Sequence, residues 1–95
     1  MSVAEEIDTF TILRIKKEHG LNVVIPANSF KAEEYSELYR INKMMWELED
    51  LISKESDFAK IGILYLALRY LTNCRVKEKN QISSKHNEPI ELKDY

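Results

Sequence analysis

Ile61-Gly-Ile-Leu-Tyr-Leu-Ala-Leu-Arg-Tyr-Leu71 is the stretch on which the fold turns. Its apolar residues recur at steps of three and four and form two stripes: Ile61, Leu64, Leu68 and Leu71 on one side, Ile63, Leu66 and Tyr70 on another. A helix that is apolar all round is covered all round. The run is about half the length that spans a bilayer and contains Arg69, so it is read as a packed helix and not as a membrane span.

Downstream the sequence turns polar through Asn73, Arg75, Lys77, Glu78, Lys79, Asn80 and Gln81, with Val76 and Ile82 the remaining apolar positions. One continuous helix from Ser56 or Asp57 to about Ser84 is expected, roughly 40 Å long at 1.5 Å per residue. Its apolar half is expected to be buried, and its polar half to project into solvent or line a groove. Upstream, Leu38, Ile41, Met45, Leu48 and Ile52 alternate steps of three and four, the seam of a helix lying nearly parallel or antiparallel to another. Met44 and Leu51 widen that seam, Tyr35, Tyr39 and Trp46 flank it, and Asn28 or Ser29 is the expected cap.

The first helix opens at Ser2, whose S-x-x-E spacing to Glu5 makes a capping box. Val3, Ile7, Phe10 and Leu13 share a face, with Ile12 and Ile15 beside it, and Gly20 supplies the left-handed stop. Leu21 to Ile25 reads as an extended, partly buried connector ending at Pro26, since it has no second strand to pair with. The expected architecture is therefore all-α: one domain over residues 1–95, a three-helix antiparallel bundle with helices at about 2–19, 31–53 and 57–84. The third helix is long, and residues 85–95, with Pro89, Ile90 and Leu92, form an extended tail.

Composition agrees: 32% charged residues with only two Gly and two Pro suit helices. Fourteen basic and sixteen acidic side chains give a net charge of −2, which disfavours nucleic-acid binding. Cys74 is the single cysteine, so neither an internal disulfide nor a Cys-based zinc site is expected. With an acidic N-terminus lacking an apolar stretch, the reading is a cytoplasmic protein without signal peptide, metal or other cofactor.

Few residues form constellations that could carry chemistry. Glu34 with Glu37, and Glu47 with Asp50, have the E-x-x-E and E-x-x-D spacing with which all-α nucleotide pyrophosphatases of the MazG type hold magnesium. Glu37 and Asp50 would lie about 20 Å apart on one helix, however, so an acidic face with partners such as Arg40 and Lys43 is the simpler reading. Arg69, Arg75, Lys77 and Lys79, with Asn73 and Asn80 between them, could receive a phosphate or carboxylate. Arg69 is expected to meet Glu49 or Asp50 across the helix pair. A chorismate-mutase-type arrangement needs a longer first helix than Gly20 and Pro26 allow. His19 and His86 lack ligand-spaced partners, and Cys74 lacks a nearby base.

Three segments carry a resemblance: Glu6-Ile-Asp-Thr-Phe-Thr-Ile-Leu-Arg-Ile-Lys16, Ile41-Asn-Lys-Met-Met-Trp-Glu-Leu-Glu-Asp50 and Arg75-Val-Lys-Glu-Lys-Asn-Gln-Ile82. Over most of its length the chain resembles a small bacterial and phage family of unknown function. Its members read E-x-I-D-K-x-T-I-L-E-I-K, N-x-x-L-W-x-x-E-D and N-x-x-R-x-x-x-K-N, and end near K-x-Y. The resemblance implies polar positions at Asp8, Thr11, Lys16, Asn42, Trp46, Glu49, Asp50, Asn73, Arg75, Lys79, Asn80, Lys93 and Tyr95. Thr9 stands where the family has Lys, and Met45 where it has Leu. Some members lie near surface-polysaccharide genes, which implies a sugar-linked role without a reaction.

The leading expectation is a non-enzymatic interaction or assembly protein, a homodimer whose subunit contact is formed by Ile61, Ile63, Leu64, Leu66, Leu68, Tyr70 and Leu71. A protein partner is compatible with the same surface. The alternative is a site for an anion or sugar phosphate, built from the family-type positions together with Arg69. Magnesium-dependent hydrolysis is third.

Overall fold

A computed structural model describes residues 2–90 as three helices: α1 (Val3–Glu18), α2 (Ala32–Lys54) and α3 (Phe58–Lys85). The described residues contain no strand and pack as an all-α bundle. Their ends follow local chemistry. Ser2 Oγ accepts from the Glu5 N–H at 3.1 Å, and Asp57 accepts from the Ala59 N–H at 2.9 Å, so α1 and α3 begin on side-chain caps. Asn28 does not cap α2. It turns the chain three residues before the cap by accepting from the Phe30 N–H at 3.0 Å, and Lys31, not Ser29, occupies the cap position.

Two helices end alike. Gly20 at φ +81° closes α1, with Gly20 N–H donating to the Lys17 carbonyl and Leu21 N–H to that of Lys16, each at 3.0 Å. Asn87 at φ 55° repeats this double bond at the end of α3, through the Ser84 and Ser83 carbonyls. That turn delivers Glu88 to the start of α1, where its Oε1 accepts from the Val3 N–H at 2.9 Å. The segment after α3 therefore closes the first helix. Ile90 is half-exposed, while Leu92, Lys93 and Tyr95 lie outside the described residues.

The short turn between α2 and α3 makes them an antiparallel hairpin, and α1 also runs opposite to α3, since Asp8 meets Arg75 while Val3 meets Glu88. Along α1 and α2 the contacts climb in the same sense, from Phe10–Tyr35 to Glu18–Tyr39 and from Thr11–Asn42 to His19–Trp46. The long connector brings the chain back across α1 without forming a strand, burying Val23 and Ile25 in part and laying Phe30 against Phe10.

Ala4, Ile7, Leu38 and Ile82 form the buried core, with Val3, Phe30 and Tyr35 packed on it. The face of α1 that enters the core holds Ala4, Ile7, Asp8, Thr11 and Ile15; Phe10 and Leu13, expected on that face, are only half-buried. The two halves of α3 also reverse their expected roles. Its polar half carries the buried Ile82 and Ser83 and packs on α1 and α2, whereas from 43 to 70 no side chain is buried. The far ends of α2 and α3 thus form a two-helix arm, within overall extents of 44 × 33 × 20 Å. The inner stripe of Ile61, Leu64 and Leu68 is half-buried on this arm, and Leu71 is buried at its root. Ile63, Leu66 and Tyr70 are 67%, 67% and 68% exposed, and Phe58 is 88% exposed. Met44 and Leu51, expected in the seam, are exposed as well.

Candidate functional site

Four polar side chains meet where the three helices converge. Asp8 and Thr11 come from α1, Asn42 from α2 and Arg75 from α3, and all but Arg75 are buried. Arg75 grips Asp8 side-on: Nε donates to Oδ1 at 3.0 Å, and Nη2 donates to Oδ2. Asn42 Nδ2 donates both to Asp8 Oδ1 at 2.9 Å and to Thr11 Oγ1 at 2.8 Å. The Thr11 hydroxyl in turn donates to the Asp8 carbonyl at 2.8 Å. Because Asp8 only accepts and the Thr11 proton is already used, the amide of Asn42 is fixed with its nitrogen toward them. Asn42 Oδ1 therefore faces the other way.

Beside the cluster lies a cleft of about 220 Å³ lined by Ile12, Ile15, Lys16, Asn42, Met45, Trp46, Glu49 and Arg75. Its floor is apolar. Its rim carries Lys16, Glu49 and Arg75, and Lys16 forms none of the described ion pairs. Trp46 is held by His19, whose ring lies 4.8 Å from it and whose Nδ1 sits 2.8 Å from the Ile15 carbonyl oxygen. The Lys16 ammonium and the Trp46 indole around a small opening can hold an anionic group attached to an apolar body, with the Glu49 carboxylate on the rim opposing it. A larger groove, about 420 Å³, lies between α1 and the connector, where Thr9, Phe10, Leu13, Pro26 and Phe30 offer little polarity.

The remaining expected positions disperse. Asp50 is exposed and binds Lys54 at 2.8 Å, so it does not meet Arg69, which is exposed and forms no ion pair among the described residues. Asn73 is half-buried and takes no part in the four-residue cluster; Lys79 and Asn80 are half-buried and partnered. Glu37 is occupied by Arg40 at 2.5 Å, and that hydrogen bond, more than their opposite charges, holds its carboxyl below the usual carboxylate range. The acidic residues of α2 thus behave as a solvated face, and no group of three or more His, Cys, Asp or Glu gathers at metal-binding distance among the described residues. Glu78 differs: burial, and then the charge of Glu37, push its carboxyl up.

A belt of aromatic and charged groups seals the junction of α1 and α2. Tyr35 meets the Phe10 ring edge-on at 5.1 Å and accepts from Arg14 at 3.1 Å, while Tyr39 donates to Glu18 at 2.5 Å. The Glu18 hydrogen bond holds the Tyr39 proton, so that phenol titrates above its usual range. Arg14, Tyr35, Tyr39 and Glu18 form this belt, and only the flanking position of the two tyrosines is readable from the helical period. Among the described residues no helix is long and apolar enough to cross a membrane. No protein-family profile, curated protein or solved structure matches the chain.

Proposed function

We propose that this chain is a helical assembly protein whose working form is a homodimer joined through the outer stripe of α3. The supporting observation is the arm: Ile63, Leu66 and Tyr70 lie in line on the side of α3 away from α2, each about two-thirds exposed. Burying such a side chain stabilises by roughly 1–2 kcal/mol, and a two-fold repeats the three, giving about 6–12 kcal/mol. The lost freedom of association is of similar size, so contributions from Phe58 and Tyr65 decide the balance. A dimer that forms at micromolar concentration requires a net of about −8 kcal/mol. Sedimentation velocity tests this reading. At about 100 μM, well above a micromolar dissociation constant, the protein sediments as a dimer and Leu66→Glu sediments as a monomer with unchanged helical circular dichroism. A monomeric parent protein at that concentration overturns the reading.

The cleft supports a second reading, a site for a small anion bearing an apolar group. The observation favouring it is Lys16, which lines the cleft with Trp46 and forms none of the described ion pairs. Trp46 is the single tryptophan and lines the cleft, so its fluorescence reports occupancy directly. Titration with phosphate and with citrate should shift that emission in the parent protein and not in Lys16→Ala. An unchanged spectrum in both proteins up to about 10 mM removes this reading for an anion of useful affinity.

A further inference from the structure

Resting on the homodimer reading, we infer that the two copies pair antiparallel along α3, on a two-fold axis passing beside Leu66. Reversed about Leu66, the exposed stripe returns on itself to within one residue. Stepping back from Leu66 by three residues reaches Ile63 and by seven reaches Ala59; stepping forward by four reaches Tyr70 and by seven reaches Asn73. Turned end for end, Leu66 meets Leu66 of the other copy and Ala59 meets Asn73, while Ile63 packs beside the Tyr70 ring, which stands level with Gly62.

Gly62 fits this arrangement. A Cβ there would meet nothing within 4 Å in its own chain, so internal packing does not require glycine, which weakens a helix interior relative to alanine. In the antiparallel pair Gly62 lies level with Tyr70 of the other copy, and its missing side chain makes room for the ring.

Charge selects the same direction. All charged residues of α3 between 58 and 77 are cations: Lys60, Arg69, Arg75 and Lys77. A parallel pair would place Lys60, Arg69 and Lys77 each level with its own counterpart and align the two helix dipoles. The antiparallel pair sets Arg69 beside Ile63 and brings Lys77 level with the α2–α3 turn of the other copy, where Glu55 and Asp57 supply carboxylates.

Spin-label distances distinguish direction from the existence of the dimer. Nitroxides are placed separately at Lys77→Cys and Lys60→Cys, both exposed positions, in full-length chains carrying Cys74→Ser, with Cys74→Ala as a second background. The antiparallel pair gives electron–electron distances of about 35 Å at position 77 and about 20 Å at position 60, from the helical rise and a typical helix separation. Distances of about 15 Å at both positions mean a parallel pair and overturn the inference while leaving the dimer. A decay without dipolar modulation removes the dimer itself.

Discussion

Asp8 is 5% exposed, and the chain keeps its carboxylate there by supplying partners from both of the other helices. Breaking such a pair from one side leaves a buried charge uncompensated, which costs more than the pair contributes over an apolar substitute. Arg75→Met should therefore destabilise by about 3 kcal/mol, the low end for buried pairs because the Arg75 side chain is 29% exposed, as read by urea denaturation. Asn42→Leu should cost about 1–3 kcal/mol, since Asp8 and Thr11 each lose a donor. Glu78 provides the pH test. Its folded carboxyl titrates above the usual range, so the fold binds this proton more tightly than the unfolded chain does, and stability falls as pH rises through that window. Glu78→Gln should raise the melting temperature at pH 7, and its advantage should vanish below the ordinary glutamate range. An unchanged melting temperature at pH 7 would contradict the burial argument. The four-residue cluster was half-legible in the sequence: motif resemblance picked out Asp8, Thr11, Asn42 and Arg75 but could not say that they touch. Hydrophobic periodicity pointed elsewhere on α1, to Phe10 and Leu13, because a core face containing an aspartate and a threonine carries a weak apolar signal.

The elements themselves follow closely from their ends. Ser2, Asp57 and Gly20 set three helix boundaries by chemistry that a few consecutive residues contain, so these were readable. Gly20→Ala should cost about 1 kcal/mol, since the new side chain must hold a left-handed conformation, although no neighbour obstructs it. A thermal melt that leaves Gly20→Ala level with the parent would refute that account of the turn. Glu88 was not readable as a cap, because its partner lies at the opposite end of the chain. Replacing Glu88 by Ala should fray the first turn of α1, with a loss of about 1 kcal/mol and faster amide exchange at Val3. The reversal of the two halves of α3 has the same origin. Composition ranks the apolar half as the better core, but α1 is short and lies on the polar half, where Arg75 and Ile82 meet it.

At the scale of the molecule, the arm is the part that the chain itself leaves incomplete. The three-helix core is closed by Ile7, Leu38 and Ile82 and by a polar network in which no buried side-chain atom lacks a partner among the described residues. The arm has only two helices, so one stripe of α3 faces α2 and the other faces water. Two stripes were visible from spacing alone, whereas the side each would take depended on how far α1 reaches. Pairing through the outer stripe should make the melting temperature rise with protein concentration, and Leu66→Glu should abolish that dependence. The most direct measurement is an isotope-filtered nuclear Overhauser experiment on a mixture of ¹³C-labelled and unlabelled chains. The account predicts cross-chain contacts from the Leu66 methyls to Leu66 and from the Ile63 methyls to the Tyr70 ring. Cross-chain contacts confined to another surface, or none at concentrations well above micromolar, would contradict it.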